Sequence, residues 1–267
     1  MAGAVELTVD GAPATPVDLA HVALVNYGAY TSFRVEQGGV RGLDLHLARL
    51  EAEALELFGE PVGEARICEF LRAAVAGQDA CWLRVGLFSP EISPRTPDWT
   101  GRPSVMIAAS PPPAPLAESV RVQVQTYARE APHLKHAATF GLIRARRLAR
   151  SAGFDDALFV DPEGHVTEGS LWNIGFIYGD QVIWPRAPML AGVAQALVQR
   201  GLAHSGLTAR TAPVHVGELA RFDGAFLCNS AAPACAVAAI GDHAFATSPG
   251  MIERLQAAWA SNPVQPI

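Results

Sequence analysis

A run of prolines divides the chain into two parts of unequal length. The segment is Ser110-Pro111-Pro112-Pro113-Ala114-Pro115, in a chain of 267 residues. Consecutive prolines cannot continue a helix or occupy a central strand, because each lacks a backbone N–H donor and has a fixed φ. We therefore predict a stiff linker at 111–118. It separates a small N-terminal domain, 1–110, from a larger domain, 119–267.

Strand and helix patterns are mixed in both parts. Tyr30–Val35 is rich in aromatic and β-branched residues, which is typical of a strand. Apolar residues recur at three- and four-residue spacing along Leu47–Leu57, which predicts a helix with one buried face, and Asp44 is its predicted N-cap. Asp161-Pro162-Glu163-Gly164 predicts a type I turn between two strands. The pattern indicates an α+β fold.

Composition excludes several classes of partner. The net charge is −6, so no broad basic field is available for nucleic acid. No apolar run is long enough for a membrane span, and the first residues do not resemble a signal peptide. The four cysteines form neither a CxxC pair nor a zinc-binding pattern, and no metal site is expected. Their apolar neighbours favour reduced thiols in the core of a cytoplasmic protein.

Lys135 is the only lysine in the chain, beside 19 arginines. A sequence so biased towards arginine indicates that a lone lysine has a task that a guanidinium cannot perform. Lysine can lose its proton and form a Schiff base with a carbonyl group, whereas arginine stays protonated. The alternative interpretation is a solvated surface charge.

Three further features would complete a site around this amine. Glu168 follows the predicted turn about thirty residues after Lys135, a helix is predicted to begin at Gly192, and Arg49 lies far upstream. Pyridoxal phosphate requires a lysine for its aldehyde, a carboxylate for its ring nitrogen and a cup for its phosphate. A helix N-terminus and an arginine both suit a phosphate. The four features together therefore indicate a pyridoxal-phosphate site.

Six motifs carry a resemblance to a known family. In chain order they are Tyr30-Thr31-Ser32-Phe33-Arg34-Val35, His46-Leu47-Ala48-Arg49-Leu50, Leu134-Lys135-His136, Gly164-His165-Val166-Thr167-Glu168-Gly169-Ser170 with Trp172-Asn173-Ile174, Leu190-Ala191-Gly192-Val193-Ala194, and Cys228-Asn229-Ser230. The chain resembles the fold-type IV pyridoxal-phosphate enzymes of the class IV aminotransferase family. That family includes branched-chain and D-amino-acid aminotransferases and aminodeoxychorismate lyase. The motif around Glu168 matches the family signature G-x-V-[ST]-E-G-S-x-x-N-I and is the most specific of the six.

The resemblance implies a two-domain fold, with a small N-terminal α/β domain and a larger C-terminal β-rich domain, and a homodimer with the cofactor between the domains. It implies that Lys135 forms the Schiff base and moves the substrate α-proton. Glu168 would pair with the pyridine nitrogen, and Arg49 would bind the phosphate. The remaining phosphate ligands would be the helix start at Gly192, the backbone N–H groups of Val193 and Ala194, and the Ser230 hydroxyl. Alanine stands at 194 and serine at 230 where the family commonly has threonine.

The reaction and the substrate are less constrained by the motifs. The resemblance implies an aminotransferase that moves an amino group between an amino acid and a 2-keto acid. The alternatives are a lyase of the aminodeoxychorismate type, which releases pyruvate, and a non-catalytic protein that keeps the fold. Tyr30-Thr31-Ser32 is nearer to the lyase version of its motif, with the Thr31 hydroxyl as the discriminating group.

Four residues are candidates for substrate contacts. Tyr30 and Thr31 would line the substrate pocket, although Tyr30 could equally belong to the core. Arg95 and Arg102 could reach a substrate carboxylate across the dimer interface, as the resemblance implies for their loop. Asn173 is predicted to be structural, through a hydrogen bond to a loop.

Overall fold

The computed structural model describes residues 5–114 and 117–267, so Pro115 and Leu116 of the predicted linker lie outside the described residues. The chain forms two compact units. The first consists of Met1–Ala114, Leu134–Ala138 and Val264–Ile267, and the second of Pro115–His133 and Thr139–Pro263. Lys135 is thus part of the first unit, although it follows the proline-rich segment. The segments 134–138 and 264–267 join the first unit through pairing with residues distant in the sequence, and no local pattern indicates such pairing.

The described residues form six α-helices and sixteen strands. The helices are α1 (Pro16–Leu24), α2 (Leu43–Phe58), α3 (Glu64–Val75), α4 (Phe140–Ser151), α5 (Val193–Gly201) and α6 (Pro249–Ala260). The strands are β1 (Glu6–Val9), β2 (Ala12–Pro13), β3 (Ala29–Glu36), β4 (Gly39–Arg41), β5 (Ala80–Phe88), β6 (Ser104–Ser110), β7 (Ser119–Thr126), β8 (Asp156–Val160), β9 (Val166–Gly169), β10 (Asn173–Tyr178), β11 (Gln181–Pro185), β12 (Thr208–Ala212), β13 (Gly224–Asn229), β14 (Ala232–Ile240), β15 (His243–Ala244) and β16 (Val264–Pro266). No helix in the described part of the chain combines the length and the apolar character needed to cross a membrane.

The first unit is a seven-stranded antiparallel sheet in the order β16-β4-β3-β5-β6-β1-β2. The apolar faces of α2 and α3 contribute Leu50 and Ile67 to its core, where they join Leu83 of β5. Each of these three side chains is at most 1% exposed. This core fixes α2 relative to β3, and those two elements carry three of the candidate residues, Tyr30, Thr31 and Arg49.

The start of α2 differs from the prediction. Its N-cap is Gly42, not Asp44, so the predicted cap was wrong. Gly42 has a φ of 78°, a left-handed conformation that glycine adopts without strain, and its carbonyl oxygen accepts from the N–H groups of Leu45 and His46. Asp44 instead lies in the first turn, where its negative charge interacts favourably with the positive end of the helix dipole.

The second unit is a nine-stranded mixed sheet in the order β12-β11-β10-β13-β14-β7-β8-β9, with β15 paired to β14. Helices α5 and α6 pack on the cluster that contains Phe226. The predicted turn at 161–164 is confirmed, because the Gly164 N–H donates to the Asp161 carbonyl oxygen at 3.1 Å. The predicted α+β fold, with a small N-terminal part and a larger β-rich part, is likewise confirmed.

Candidate active site

Lys135 lies on a short extended segment that pairs with the beginning of β3. The Tyr30 N–H donates to the Lys135 carbonyl oxygen at 2.9 Å, and the Ala137 N–H donates to the Gly28 carbonyl oxygen at 2.8 Å. The backbone N–H of Lys135 donates to Glu53 Oε1 on α2 at 2.5 Å. Both the backbone N–H and the backbone carbonyl of Lys135, the residue with the only primary amine side chain, are therefore held by hydrogen bonds.

The ring of Tyr30 is in contact with two cations. Lys135 Nζ lies 4.9 Å from the ring centroid, and Arg84 Cζ of the neighbouring strand β5 lies 3.5 Å from it. Tyr30 is 7% exposed, so this contact is largely shielded from water. Cation–π attraction holds both groups against one aromatic ring. Sequence reasoning did not identify Arg84, because nothing local distinguishes it from the other arginines.

Thr31 is fully buried and contacts the helix that carries Arg49. Its hydroxyl is 2.6 Å from His46 Nδ1, and both residues are at most 2% exposed. Burial lowers the pKa of His46 to about 3, with smaller contributions from the positive charges of Arg49 and Lys135. His46 is therefore a neutral imidazole at physiological pH, and its hydrogen bond fixes the Thr31 hydroxyl.

In the second unit, Glu168 is a buried carboxylate held from two sides. Arg129 Nη1 donates to its Oε1 at 3.2 Å, and the Leu190 N–H donates to its Oε2 at 3.3 Å. The side chains of Arg129 and Glu168 are 6% and 7% exposed. A charge taken out of water needs such partners, and Arg129 balances it. Sequence reasoning missed Arg129, which is one of many arginines and belongs to none of the six motifs.

The start of helix α5 has a geometry suited to an anion. Its N-cap is Gly192, and in the described structure no side chain caps this end, which leaves the first N–H groups, at Val193 and Ala194, directed away from the helix. Asn173, which is 5% exposed, donates to the Leu190 carbonyl oxygen at 2.9 Å. The prediction that Asn173 hydrogen-bonds a loop is thus confirmed.

Glycine is required at 192 because the loop approaches Asn173 closely. A Cβ at this position would lie 1.9 Å from Asn173 Oδ1. Asn173 pairs with Cys228 on the adjacent strand β13, and Ser230 follows the end of that strand. The Gly192 loop and the Ser230 turn therefore lie at the same end of these two strands. The hydrogen bond from the Leu190 N–H places Glu168 beside the Gly192 loop.

The structure thus gathers the predicted residues into two sets. Lys135, Tyr30 and Thr31 belong to the first unit. Arg49 lies in the same unit, and its positive charge helps to lower the pKa of His46, the residue that is hydrogen-bonded to Thr31. Glu168, Gly192, Val193, Ala194 and Ser230 belong to the second unit. The remaining two candidates, Arg95 and Arg102, are exposed on the segment that joins β5 and β6.

Comparison with known proteins identifies the class. The family profile described as amino-transferase class IV matches residues 28–240. The chain belongs to this family. It is a pyridoxal-phosphate-dependent enzyme of the transaminase or lyase type, and its cofactor is pyridoxal 5'-phosphate. A search of curated protein sequences gave no match.

Solved structures share the fold at low sequence identity. A branched-chain aminotransferase from Escherichia coli is 16% identical, with a TM-score of 0.80 over 96% of this chain and 92% of that chain. A branched-chain aminotransferase from the thermophilic archaea Thermoproteus uzoniensis, with norvaline, is 22% identical, with a TM-score of 0.80 over 95% and 93%. A protein of Legionella pneumophila subsp. pneumophila str. Philadelphia 1, provisionally named 4-amino-4-deoxychorismate lyase, is 21% identical, with a TM-score of 0.79 over 88% and 91%.

The residues present fit this cofactor. The second unit offers a buried carboxylate, suited to a protonated ring nitrogen, beside an uncapped helix start suited to a phosphate. The first unit offers the amine of Lys135, which is half-buried on a fixed main chain. Each unit, taken by itself, therefore contains residue types that pyridoxal phosphate requires.

Proposed function

We propose that the protein is an aminotransferase that moves an amino group between an amino acid and a 2-keto acid, with Lys135 as the residue that binds the cofactor covalently. The observation that carries the proposal is the fixed main chain of Lys135, the one primary amine side chain, beside Tyr30. When bound, pyridoxal phosphate supplies an aldehyde that an amine captures with loss of water, and a ring that accepts electrons from the substrate carbon.

The remaining roles, in proton transfer and in binding of the cofactor ring and phosphate, belong to side chains and backbone groups of the protein. Lys135 Nζ would take the proton from the substrate Cα and deliver it to the carbon of the former cofactor aldehyde, so that the keto acid can leave. The second half of the reaction would run these steps in reverse on the acceptor keto acid. A lysine can do this because its amine can be neutral. Glu168 would keep the ring nitrogen of the bound cofactor protonated, and Arg129 holds the carboxylate in place. The phosphate ligands that the resemblance implies are Arg49, the N–H groups at the start of α5 and the Ser230 hydroxyl, and these would hold the phosphate of the cofactor. The methyl group of Ala194 leaves only its backbone N–H for this task.

We propose that Arg84 binds a substrate carboxylate, with Tyr30 as the wall beside it. Arg84 and Lys135 lie against the same aromatic ring, so a substrate at the lysine amine is near a guanidinium that can form a bidentate hydrogen bond. Arg84→Gln should raise the KM for the amino acid about tenfold to a hundredfold and leave the absorbance of the bound cofactor unchanged. Arg34→Gln, on the exposed side of β3, is the matched control and should leave KM unchanged. An unchanged KM in Arg84→Gln would remove this residue from the substrate site.

The burial of Thr31 supports transamination over the lyase alternative. The lyase interpretation relies on the Thr31 hydroxyl, which is 0% exposed and engaged with His46 Nδ1 at 2.6 Å. A hydroxyl held in this way would have to leave a buried partner to assist an elimination. The resemblance of Tyr30-Thr31-Ser32 to the lyase version of the motif keeps the lyase as the second candidate.

The test is a panel of L- and D-amino acids mixed with the purified holoenzyme. We expect one group of donors to abolish the visible absorbance of the bound cofactor, and a 2-keto acid to restore it while accepting the amino group. Lys135→Arg, which retains the positive charge but not the primary amine, is the control and should show neither change. Pyruvate release from aminodeoxychorismate without a keto-acid acceptor would instead support the lyase. If no amino acid changes the absorbance, the non-catalytic alternative is favoured.

We propose that the protein is a homodimer, and that α4 contributes to the contact. Phe140 and Ile143 of α4 are 77% and 62% exposed, and Leu171 beside this helix is 39% exposed. Large apolar side chains grouped on one surface are typical of a protein interface. Arg95 and Arg102 would then be candidates for contacts with the substrate of the partner subunit.

Light scattering coupled to size-exclusion chromatography tests the dimer. Ile143→Glu places a charge in the proposed contact and should shift the protein to the monomer. Ala52→Glu, at an exposed position of α2 outside this apolar group, is the control and should leave the mass unchanged. A monomeric wild type would contradict the proposal.

We also propose a cytoplasmic location, on the basis of the cysteines. All four lie in the described part of the chain and are free thiols, and Cys81, Cys228 and Cys235 are buried. Buried reduced thiols suit a reducing compartment. Fractionation of cells that express the protein, with detection by antibody, would test this location.

A further inference from the structure

A buried carboxylate on α2 holds the main chain of the cofactor-binding lysine. Glu53 is 3% exposed, and its Oε1 accepts the backbone N–H of Lys135 at 2.5 Å. The two residues are 82 positions apart in the sequence, so the contact belongs to the tertiary fold. Carboxylates are rarely buried without a specific partner, because the charged form loses its hydration.

Helix α2 is a rigid support for this carboxylate. Leu50 and Ala54, on either side of Glu53, are 1% and 0% exposed and belong to the core of the first unit. A side chain placed on a packed helix has few alternative positions, so Oε1 is fixed relative to β3.

The anchored segment is short, which makes the anchor important. The chain enters the first unit at Leu134 and leaves it again after Ala138. Within these five residues, backbone pairing to 28–30 supplies the hydrogen bonds of the Lys135 carbonyl and the Ala137 N–H. The Lys135 N–H is not part of that pairing, and Glu53 satisfies it.

We propose that Glu53 is a positioning residue for Lys135. Its carboxylate fixes the main chain from which the ε-amine extends, and so determines where the amine meets the aldehyde of the cofactor. This inference rests on the proposed role of Lys135. A reacting group displaced by about 1 Å can lose on the order of a hundredfold in rate, so a change at a residue remote from the cofactor can slow its attachment.

The first experiment measures the hydrogen bond itself in the protein without cofactor. Hydrogen exchange should show the Lys135 amide protected in the wild type. Glu53→Met fills a similar volume without an acceptor, and should lower that protection more than tenfold while α2 and β3 stay protected. Exchange of the Lys135 amide at the rate of an unprotected amide in the wild type would overturn the proposal even if no variant folds. Equal protection in wild type and Glu53→Met would also overturn it.

The second experiment follows the attachment of added pyridoxal phosphate through the rise of its visible absorbance. Glu53→Met should attach the cofactor about tenfold to a hundredfold more slowly than the wild type. Glu53→Gln keeps an acceptor oxygen and should recover the rate to within a few-fold. Glu56→Gln, at an exposed position of the same helix, is the control and should match the wild type.

The two experiments separate this inference from the proposed function. If the wild type attaches the cofactor and Glu53→Met attaches it equally fast, the inference about Glu53 is wrong and the function stands. If the wild type attaches no cofactor at Lys135, the proposed function fails, and the role of Glu53 in delivering the amine fails with it. A uniform loss of protection across the first unit in Glu53→Met, with an unchanged attachment rate, would assign Glu53 a merely structural role.

Discussion

The buried His46 predicts a specific loss of stability in acid. Its pKa is lowered to about 3 in the folded protein, chiefly by burial, from an ordinary value of 6.5. Above pH 6.5 the imidazole is neutral in both states, and its contribution to stability is fully present. As the pH falls below 6.5, His46 becomes protonated in the unfolded chain but stays neutral in the folded protein. Stability is therefore lost progressively down to about pH 3. The slope is about 1.4 kcal/mol per pH unit, which gives a loss of roughly 2 kcal/mol at pH 5.

The matched variant is His46→Asn, which keeps a polar group facing Thr31 but does not titrate. Urea denaturation of both proteins between pH 8 and pH 4 gives the difference in free energy of unfolding, in which the other titrating groups cancel. We expect this difference to be constant above pH 6.5 and to fall with the stated slope below it. Nuclear magnetic resonance should show the His46 ring unchanged from pH 8 to pH 5. A ring that titrates near pH 6.5, with parallel stability curves, would refute the reasoning.

Three further predictions follow from other buried groups. Glu168→Gln removes the negative charge that Arg129 Nη1 contacts at a buried position, and should destabilise the protein by about 3 kcal/mol in urea denaturation. An unchanged free energy of unfolding would contradict the buried ion pair. Gly192→Ala should destabilise the protein by about 1–3 kcal/mol and weaken cofactor binding, because the new methyl group overlaps the buried Asn173 side chain. Gly250→Ala, in helix α6 with nothing within 4 Å, is the control and should not destabilise, and can stabilise by up to about 1 kcal/mol. Burial raises the pKa of Cys228 to about 12, so thiol reagents should leave it unmodified in the folded protein, and rapid labelling would contradict its burial.

Local patterns in the sequence predicted the elements whose determinants are local. The turn at 161–164 depends on proline and glycine at defined positions, and it forms as expected. Glu168 could be identified because its neighbours form one continuous motif. Asn173 could be assigned to a loop contact for the same reason. In these cases a few adjacent residues carry the whole signal.

Long-range contacts could not be predicted in this way. The pairing of 134–138 with the start of β3 joins residues about a hundred positions apart and moves Lys135 into the first unit. Arg84 and Arg129 are two of 19 arginines, and only the tertiary structure separates them from the others. Helix α1 differs from these cases, because the capping box of Thr15 and Asp18 that begins it is a local signal present in the sequence.

The central claim is that Lys135 carries the cofactor, and one measurement tests it directly. Borohydride reduction of the holoenzyme makes the lysine–cofactor bond permanent, and peptide mass spectrometry then locates the added mass. We predict a single phosphopyridoxyl adduct on the peptide that contains Lys135, and none in Lys135→Arg treated in parallel. An adduct on the α-amino group, or a wild type that carries no adduct after incubation with pyridoxal phosphate, would contradict the claim.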